Sequence, residues 1–282
     1  MRSFFRMFEE VFFKTLMKLS LFIIVASLLM ILGVQLYKGL PSLTWEMISQ
    51  VPGGGFYFGE EGGILNAIVG SLCLGAAATI LSFLAGIPVA ILLNVYEKKG
   101  SMFSGTLRTC LDILWGIPSI VYGAFGFLLM TFLGLKVSLL AGTIVLTLVI
   151  LPLTIRSMDE LIKTIPVELS EAGFSLGATK WETAFFLLLR QVKSGILTTM
   201  LLGFGRAIGD AASVLFTAGY TDHLPRSWFS PVASLPLAIF FQLSSPIEAV
   251  RKRAYAAALV LTLIILIISL TSRFILSRSK KY

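Results

Sequence analysis

Long uncharged apolar runs recur along the chain and are separated by short polar segments. Uncharged runs occupy residues 19–37, 62–96, 113–135, 137–155 and 254–272, and a further apolar run with two charges inside it occupies 194–221. At 1.5 Å per residue, a helix of nineteen residues is about 28 Å long, which is enough to cross a bilayer core. The pattern predicts an all-α integral membrane protein with six transmembrane helices.

One more stretch, residues 227–247, is uncharged and long enough to be a seventh span. Six and seven spans distribute Lys and Arg between the two sides almost equally well, so the positive-inside rule does not separate them. Pro231, Pro236 and Pro246 leave only short helical pieces in this stretch, and such pieces cannot cross a bilayer alone. We therefore favour six spans, with a short outer or re-entrant helix at about 231–243.

The composition agrees with a membrane protein. Of 282 residues, 56% are hydrophobic and 13% are charged, whereas soluble domains average about 25% charged residues. The net charge of +8 does not indicate a nucleic-acid partner, because the basic residues flank apolar runs as membrane orientation requires. The expected environment is the lipid bilayer. Cys73 and Cys110 indicate neither a disulfide framework nor a metal site.

The six-span arrangement places both termini on one side of the membrane, and this side is richer in Lys and Arg and therefore cytoplasmic. Residues 1–18 carry Phe5, Phe8 and Phe12 at helical spacing, which predicts an amphipathic helix on the cytoplasmic surface; an ordinary charged lead-in to the first span is an equally good interpretation. A first span with an outer loop (19–61), a main transmembrane domain (62–276) and a basic cytoplasmic tail (277–282) follow.

Two charged residues, Arg206 and Asp210, lie near the middle of the fifth span. Twelve uncharged residues precede Arg206 and eleven follow Asp210. A charge at the bilayer centre costs roughly 2.5–3.5 kcal/mol on insertion scales, so such residues are paired, functional or both. At a spacing of four, the two side chains share a helix face and can pair with each other. Two interpretations stay open: a self-contained ion pair, or part of a pathway for an anion.

The polar segment 156–193 contains a second candidate site. Pro166 suits a first helical turn, Glu168 suits its positive dipole end, and Gly177 is placed to end the helix. Apolar residues recur at helical spacing from Leu169 to Leu176, which predicts a short amphipathic helix at about 166–180. This helix is either a docking element for a partner or a simple connection between two spans.

No set of residues in the chain indicates catalysis. The glycine run Gly53-Gly54-Gly55 and the stretch at 177–180 both lack the Gly-Lys-Ser/Thr that a phosphate-binding loop needs. His223 is the only histidine and is expected to be a solvated loop residue. The chain is therefore expected not to be an enzyme and to hold no cofactor of its own.

The sequence Glu171-Ala172-Gly173, followed after three residues by Gly177, resembles the EAA loop of ABC importer permeases. In that family the loop forms a coupling helix that sits in a cleft of the ATPase subunit. The resemblance implies a type I ABC importer permease fold and assigns ATPase coupling to these four residues. Gly173 stands where the family has Ala, and Arg190 replaces the proline that kinks the chain after the loop.

Further segments are similar to the PstA family of phosphate-importer permeases: 62–71, 206–212, 215–218 and 234–236. The resemblance covers about residues 60–275. It implies that Arg206 and Asp210 line a phosphate pathway, because guanidinium binds oxyanions bidentately and a carboxylate can accept a hydrogen bond from a P–OH group. The family usually has Glu where this chain has Asp210, and often Pro where it has Ser213.

The resemblance also implies partners. These are a PstB-like ATPase dimer that binds ATP and Mg²⁺, a second, PstC-like permease, and a PstS-like phosphate-binding protein, with the chain as a multi-pass protein of the cell inner membrane. Two alternatives stay open. The chain could be a permease for another oxyanion, such as sulfate, molybdate or tungstate, or a secondary anion transporter or channel that uses Arg206 as its anion site.

Overall fold

The computed structural model describes residues 2–54, 61–97 and 100–279, and these residues are helical almost throughout. Gly55 of the glycine run and residues 280–282 of the basic tail lie outside this part. Four helices are long and apolar enough to cross a membrane, and two further pairs of helices, each bent at a short break, bring the total to six if each pair is one span. The predicted all-α membrane fold is confirmed.

The described helices follow one another closely. They are α1 (Arg2–Gly39), α2 (Trp45–Ser49), α3 (Leu65–Ile91), α4 (Met102–Gly116), α5 (Ser119–Phe132), α6 (Leu139–Lys163), α7 (Val167–Ser175), α8 (Lys180–Gln191), α9 (Lys193–Gly209), α10 (Leu235–Leu243) and α11 (Glu248–Ser279). Two short antiparallel strands, β1 (Pro52–Gly54) and β2 (Glu61–Gly62), pair in the loop after α2.

The first helix is a single element. It continues without a break from Arg2 to Gly39, so the segment 1–18 is not a separate surface helix. Its second half packs against α11, where the Thr262 hydroxyl donates a hydrogen bond of 3.1 Å to the Gln35 side chain. None of the residues in the most apolar part of α1 is buried, so this helix forms an outer edge of the subunit.

Helices α3 and α6 form the centre of the bundle. Leu74 and Ala78 of α3 pack with Leu146 and Ile150 of α6 in the largest buried apolar cluster. Deeper along the same pair, the Ser82 hydroxyl donates to the Thr154 hydroxyl at 2.9 Å, which satisfies a polar contact inside the apolar core. Helix α3 ends in a π-helical turn, Leu92–Tyr96.

The third span is broken. Helices α4 and α5 meet at 95°, because Pro118 has no N–H to continue α4 and because Ile117 before it takes an extended conformation. Helix α4 begins at Met102, so the expected polar loop at 97–112 is mostly helical. Its charged residues Arg108 and Asp112 face partners on α6, which is why charge there does not mark a loop.

The prediction of one helix over 194–221 is wrong. Helix α9 stops at Gly209, and the following residues form turns. Before it, α8 and α9 meet at 73° around Val192. The chain thus bends after the coupling segment although Arg190 replaces the family's proline. Within α8, residues Thr183–Leu188 form a π-helical stretch, a feature that accompanies bends and functional sites.

The segment that was ambiguous between span and short helix contains one short helix. Helix α10 has nine residues and is about 14 Å long, which is too short to cross a bilayer. Its residues Leu235, Leu237 and Ala238 are buried against α3 and α11. At its start, the backbone N–H of Leu235 donates to the Ser71 hydroxyl of α3 at 2.7 Å, which fixes the helix in the bundle.

Candidate functional site

Arg206 lies in the last turn of α9, where a positive charge interacts favourably with the negative end of the helix dipole. It is thirteen residues beyond Lys193, the first residue of the helix, and therefore about 20 Å along the helix axis. Its side chain is exposed at the surface of the subunit. Within the described part of the chain, no carboxylate forms an ion pair with its guanidinium.

Asp210 ends the helix. Its backbone is extended, with φ −83° and ψ 119°. Its Oδ1 atom accepts a hydrogen bond of 2.9 Å from the backbone N–H of Ser213, as a carboxylate does when it caps a turn. The interpretation of Arg206 and Asp210 as a self-contained ion pair is therefore not supported. The carboxylate shapes the backbone, and the guanidinium stays available.

The turns after Asp210 are held by two neighbouring elements. At their end, the carbonyl of Thr217 accepts a hydrogen bond of 3.0 Å from the backbone N–H of Ser138, at the start of α6. On the other side, α5 comes so close that a Cβ atom on Gly123 would lie 2.8 Å from the Ala212 carbonyl oxygen. Non-helical backbone at membrane depth is tolerated where it is buried in protein or lines a water-filled cavity. The break therefore marks this place as a candidate site.

The predicted coupling segment also folds as a short helix, α7. Pro166 precedes it and Glu168 lies in its first turn, as expected from the preference of acidic residues for a helix N-terminus. Gly177 follows its end with φ +84°, a conformation that glycine adopts without strain. No atom lies within 4 Å of the position that a Cβ atom on Gly177 would occupy, so the backbone conformation, not space, requires glycine here.

The apolar face of α7 is turned mostly away from the rest of the chain. Gly173 is buried against Leu187 and Thr183 of α8, and the absence of a side chain permits this close packing. Glu171 and Ala172 are exposed, and Leu176 is 89% exposed. A surface of this kind on a short helix is typical of an interaction site.

The path from α7 to Arg206 is not one continuous helix. Helix α8 and the 73° bend at Val192 lie between Gly177 and Lys193. A displacement of α7 therefore reaches Arg206 through the joint between α8 and α9. Gly195, just after the bend, packs closely on Leu161 of α6, which ties this joint to the central helix.

A buried carboxylate that the sequence analysis did not single out lies near the end of α6. Asp159 is completely buried and accepts hydrogen bonds from four side chains. The donors are Arg108 Nε at 2.9 Å and Nη2 at 3.0 Å, Asn94 Nδ2 at 2.9 Å, Arg156 Nη1 at 3.1 Å, and Lys163 Nζ at 2.7 Å.

This network joins α4, the turn after α3 and α6 just before the coupling segment begins. The spacing of Arg156, Asp159 and Lys163 at three and four residues could have indicated the local half of the network. The contribution of Arg108 comes from 51 residues away, and no local pattern predicts it.

The remaining sequence candidates contribute no chemistry that the structure reveals. In the described part of the chain, no three His, Cys, Asp or Glu side chains come together in a way that could hold a metal ion. Cys73 and Cys110 are free thiols. His223 is exposed in a loop, and its backbone N–H donates to the Thr221 hydroxyl at 3.3 Å.

Residues 86–281 match the family model described as binding-protein-dependent transport system inner membrane component. Among curated relatives, the phosphate transport system permease protein PstA of Xylella fastidiosa (strain Temecula1 / ATCC 700964) is 34% identical over 244 residues, covering 86% of this chain and 84% of the relative. The PstA protein of Pasteurella multocida (strain Pm70) is 31% identical over 271 residues, covering 95% and 94%.

A solved structure, the inward-facing MetNI methionine ABC transporter in its CY5 native crystal form, has a chain that superposes with a TM-score of 0.60 at 18% identity. The match covers 76% of this chain and 95% of that chain. At this identity, the likeness supports the ABC transporter permease fold alone.

Proposed function

We propose that this chain, which belongs to the family of binding-protein-dependent transport system inner membrane components, is the permease subunit of an ATP-driven importer of inorganic phosphate. Relatives named phosphate transport system permease protein PstA match most of its length at 31–36% identity. As a permease component it is a transport subunit and not the ATPase. It is a multi-pass protein of the inner membrane.

The observation that carries the phosphate pathway is the state of Arg206. Its guanidinium is exposed at a break in a membrane helix, and no carboxylate in the described residues neutralises it. A charge at this depth is costly unless it has a partner. A phosphate ion in transit supplies that partner, because the planar donors of guanidinium match two oxygens of an oxyanion.

Asp210 acts on this pathway through the backbone. By accepting the hydrogen bond from Ser213, it ends α9 one turn after Arg206 and fixes the turn beside it. Its negative charge near the guanidinium also limits how tightly an anion is held, since conduction needs a site that attracts the ion and still releases it. A protonated phosphate can donate a hydrogen bond to a carboxylate at the same place.

The exposed face of α7 is where an ATPase subunit would dock. Glu171, Ala172 and Gly177 lie on the surface, while Gly173 anchors the helix on α8. A pair of PstB-like ATPase subunits would bind ATP and Mg²⁺ there, on the cytoplasmic side, where both termini also lie. A PstC-like second permease would complete the pathway, and a PstS-like binding protein would deliver phosphate to the opposite face.

Movement of α7 would reach the membrane helices by two routes. One is the bent joint at Val192, which leads into the helix that carries Arg206. The other is α6, whose Asp159 network lies just before the coupling segment and holds Arg108 of α4 and Asn94 after α3. ATP-driven movement of the coupling helix would thereby shift α3, α4 and α9 together and give alternating access.

The proposal is tested with the complete transporter in proteoliposomes, with the binding protein added on the outer face. Radiolabelled phosphate uptake should require ATP, and arsenate should compete with it, while sulfate, molybdate and tungstate should not. Competition by sulfate, molybdate or tungstate at equimolar concentration would instead identify a permease for another oxyanion. Uptake that proceeds down a gradient without ATP would favour a secondary transporter or channel.

A further inference from the structure

A polar cavity of about 840 Å³ lies between the end of α1 and the start of α11, far from Arg206 along the chain. Residues from three parts of the sequence line it: Tyr37, Lys38, Pro41, Leu243, Glu248, Arg251, Lys252 and Tyr255. None of the functions described above uses this cavity. Its volume is within the range of small-molecule sites in proteins, about 300–1,000 Å³.

The lining carries three positive charges and one negative charge. Lys252 Nζ lies 2.9 Å from Glu248 Oε1, so this pair is largely neutral. Lys38 Nζ lies 5.1 Å from the centre of the Tyr255 ring, an arrangement that holds the ammonium group by a cation–π contact. Arg251 is exposed, and no carboxylate in the described residues forms an ion pair with it. The cavity therefore has a net charge of +2.

The walls of the cavity are held in place by close packing of α1 on α11. A Cβ atom on Gly39 would lie 2.6 Å from the carbonyl oxygen of Tyr255, so only glycine allows the two backbones to approach this closely. Lys38 precedes this contact directly, and Arg251 lies one helical turn before Tyr255. The two unpaired cations are thus brought together from positions 213 residues apart by a rigid contact.

The location of the cavity indicates which anion it meets. Both α1 and α11 are candidate membrane spans, and the cavity lies at the ends of their apolar parts, where lipid headgroups are found. In the six-span arrangement this end is opposite to α7. The most apolar part of α1 has no buried residues, so this edge of the subunit is open to lipid.

We propose that this cavity binds a phosphate group, namely the phosphodiester of an anionic phospholipid headgroup. Arg251 and Lys38 contact the phosphate oxygens, since guanidinium and ammonium groups both bind phosphate. The tyrosines Tyr37 and Tyr255 contribute hydroxyl donors and ring surfaces, and Pro41 and Leu243 contact the glycerol end of the lipid. The inference does not depend on phosphate transport, because it concerns a different anion at a different place.

The test uses the complete transporter in nanodiscs that contain phosphatidylcholine with a minor fraction of phosphatidylglycerol. Native mass spectrometry after mild delipidation counts the phosphatidylglycerol molecules retained. The double variant Lys38→Gln/Arg251→Gln should retain phosphatidylglycerol on the order of tenfold more weakly, because each basic residue near an anionic headgroup strengthens its binding several-fold. Retention of phosphatidylcholine should stay unchanged.

The matched control is Lys136→Gln/Arg226→Gln, which removes two positive charges from loops on the same side of the six-span arrangement but outside the cavity. This control should retain phosphatidylglycerol like the wild type. Equal losses in both double variants would show a non-specific charge effect and overturn the proposal. Displacement of the lipid by millimolar inorganic phosphate would identify a free-phosphate site instead and overturn the lipid assignment.

Discussion

The carboxylate of Asp210 accepts a hydrogen bond of 2.9 Å from the backbone N–H of Ser213. This contact explains two departures from the PstA family pattern together. The family usually has Glu and often Pro at these two positions, and a proline has no N–H to donate. In this chain the shorter Asp reaches the N–H that Ser213 provides, so the two differences belong to one local arrangement.

We expect Asp210→Asn to retain most phosphate uptake, because the Asn side-chain oxygen can still accept the Ser213 hydrogen bond. Asp210→Ala should reduce uptake strongly, since loss of a cap costs about 1 kcal/mol and frees the turn beside Arg206. Uptake per assembled complex in proteoliposomes measures the difference. Ser213→Pro, which removes the donor, should resemble Asp210→Ala. If Asn and Ala variants are equally impaired, the charge of Asp210 matters and not the cap.

Arg206→Ala should reduce phosphate uptake by roughly 100-fold or more, because two charge-assisted hydrogen bonds to the ion are lost at about 1.5–3 kcal/mol each. Arg206→Lys should give an intermediate rate, since lysine keeps the charge but not the planar fork. Arg206 is exposed and pairs with no carboxylate among the described residues, so assembly should be normal. Near-normal uptake by the Ala variant would exclude the pathway role.

Gly123→Ala should impair transport although the substitution is far from any charge. The added Cβ atom would lie 2.8 Å from the Ala212 carbonyl and 2.9 Å from the Ser213 carbonyl, so the turn must move. Overpacking of this kind costs about 1–3 kcal/mol. Gly105→Ala in α4 is the control, because no atom lies within 4 Å of its Cβ position. Thermal unfolding and uptake of both variants, compared side by side, decide whether this contact is needed.

How much of this site the sequence could predict depends on the range of the forces involved. The membrane helices are predictable because each one must bury its own backbone polar groups and expose a long apolar surface to lipid. The ends of α7 were also predictable, since Pro166 and Gly177 act locally. The end of α9 was not, because apolar residues continue to Thr221 and only the hydrogen bond from Ser213 to Asp210 stops the helix.

Long-range contacts account for the rest. The Asp159 network draws Arg108 and Asn94 from 51 and 65 residues away, and hydrophobic periodicity carries no information about such partners. The bend at Val192 is a similar case, because no proline marks it. Its neighbourhood is fixed by the packing of Gly195 on Leu161, a contact between two spans that appears only after the bundle has formed.

Gly177→Asp should weaken binding of the ATPase subunit. The substituted residue must keep φ near +84°, which costs an L-residue roughly 1–2 kcal/mol, and it adds a charge to an exposed docking surface. Gly177→Asn is the matched control, because Asn has the same size and tolerates this conformation. Co-purification should recover much less ATPase with the Asp variant than with the Asn variant. Full recovery with Asp would argue against docking at this end of α7.

Asp159→Asn should lower the stability of the subunit far more than Asp112→Asn. Both carboxylates bind Arg156, but Asp159 is completely buried and Asp112 is 51% exposed. Neutralising the buried partner leaves Arg108, Arg156 and Lys163 with uncompensated charge, which costs about 3–5 kcal/mol, whereas an exposed pair contributes at most about 1 kcal/mol.

The apparent unfolding temperature in detergent measures this difference. Asp159→Glu should recover only part of the loss, because the longer side chain must fit the same buried space. If Asp159→Asn unfolds at the wild-type temperature, the four donors are not held by this carboxylate, and α6 does not transmit movement to α4 through it.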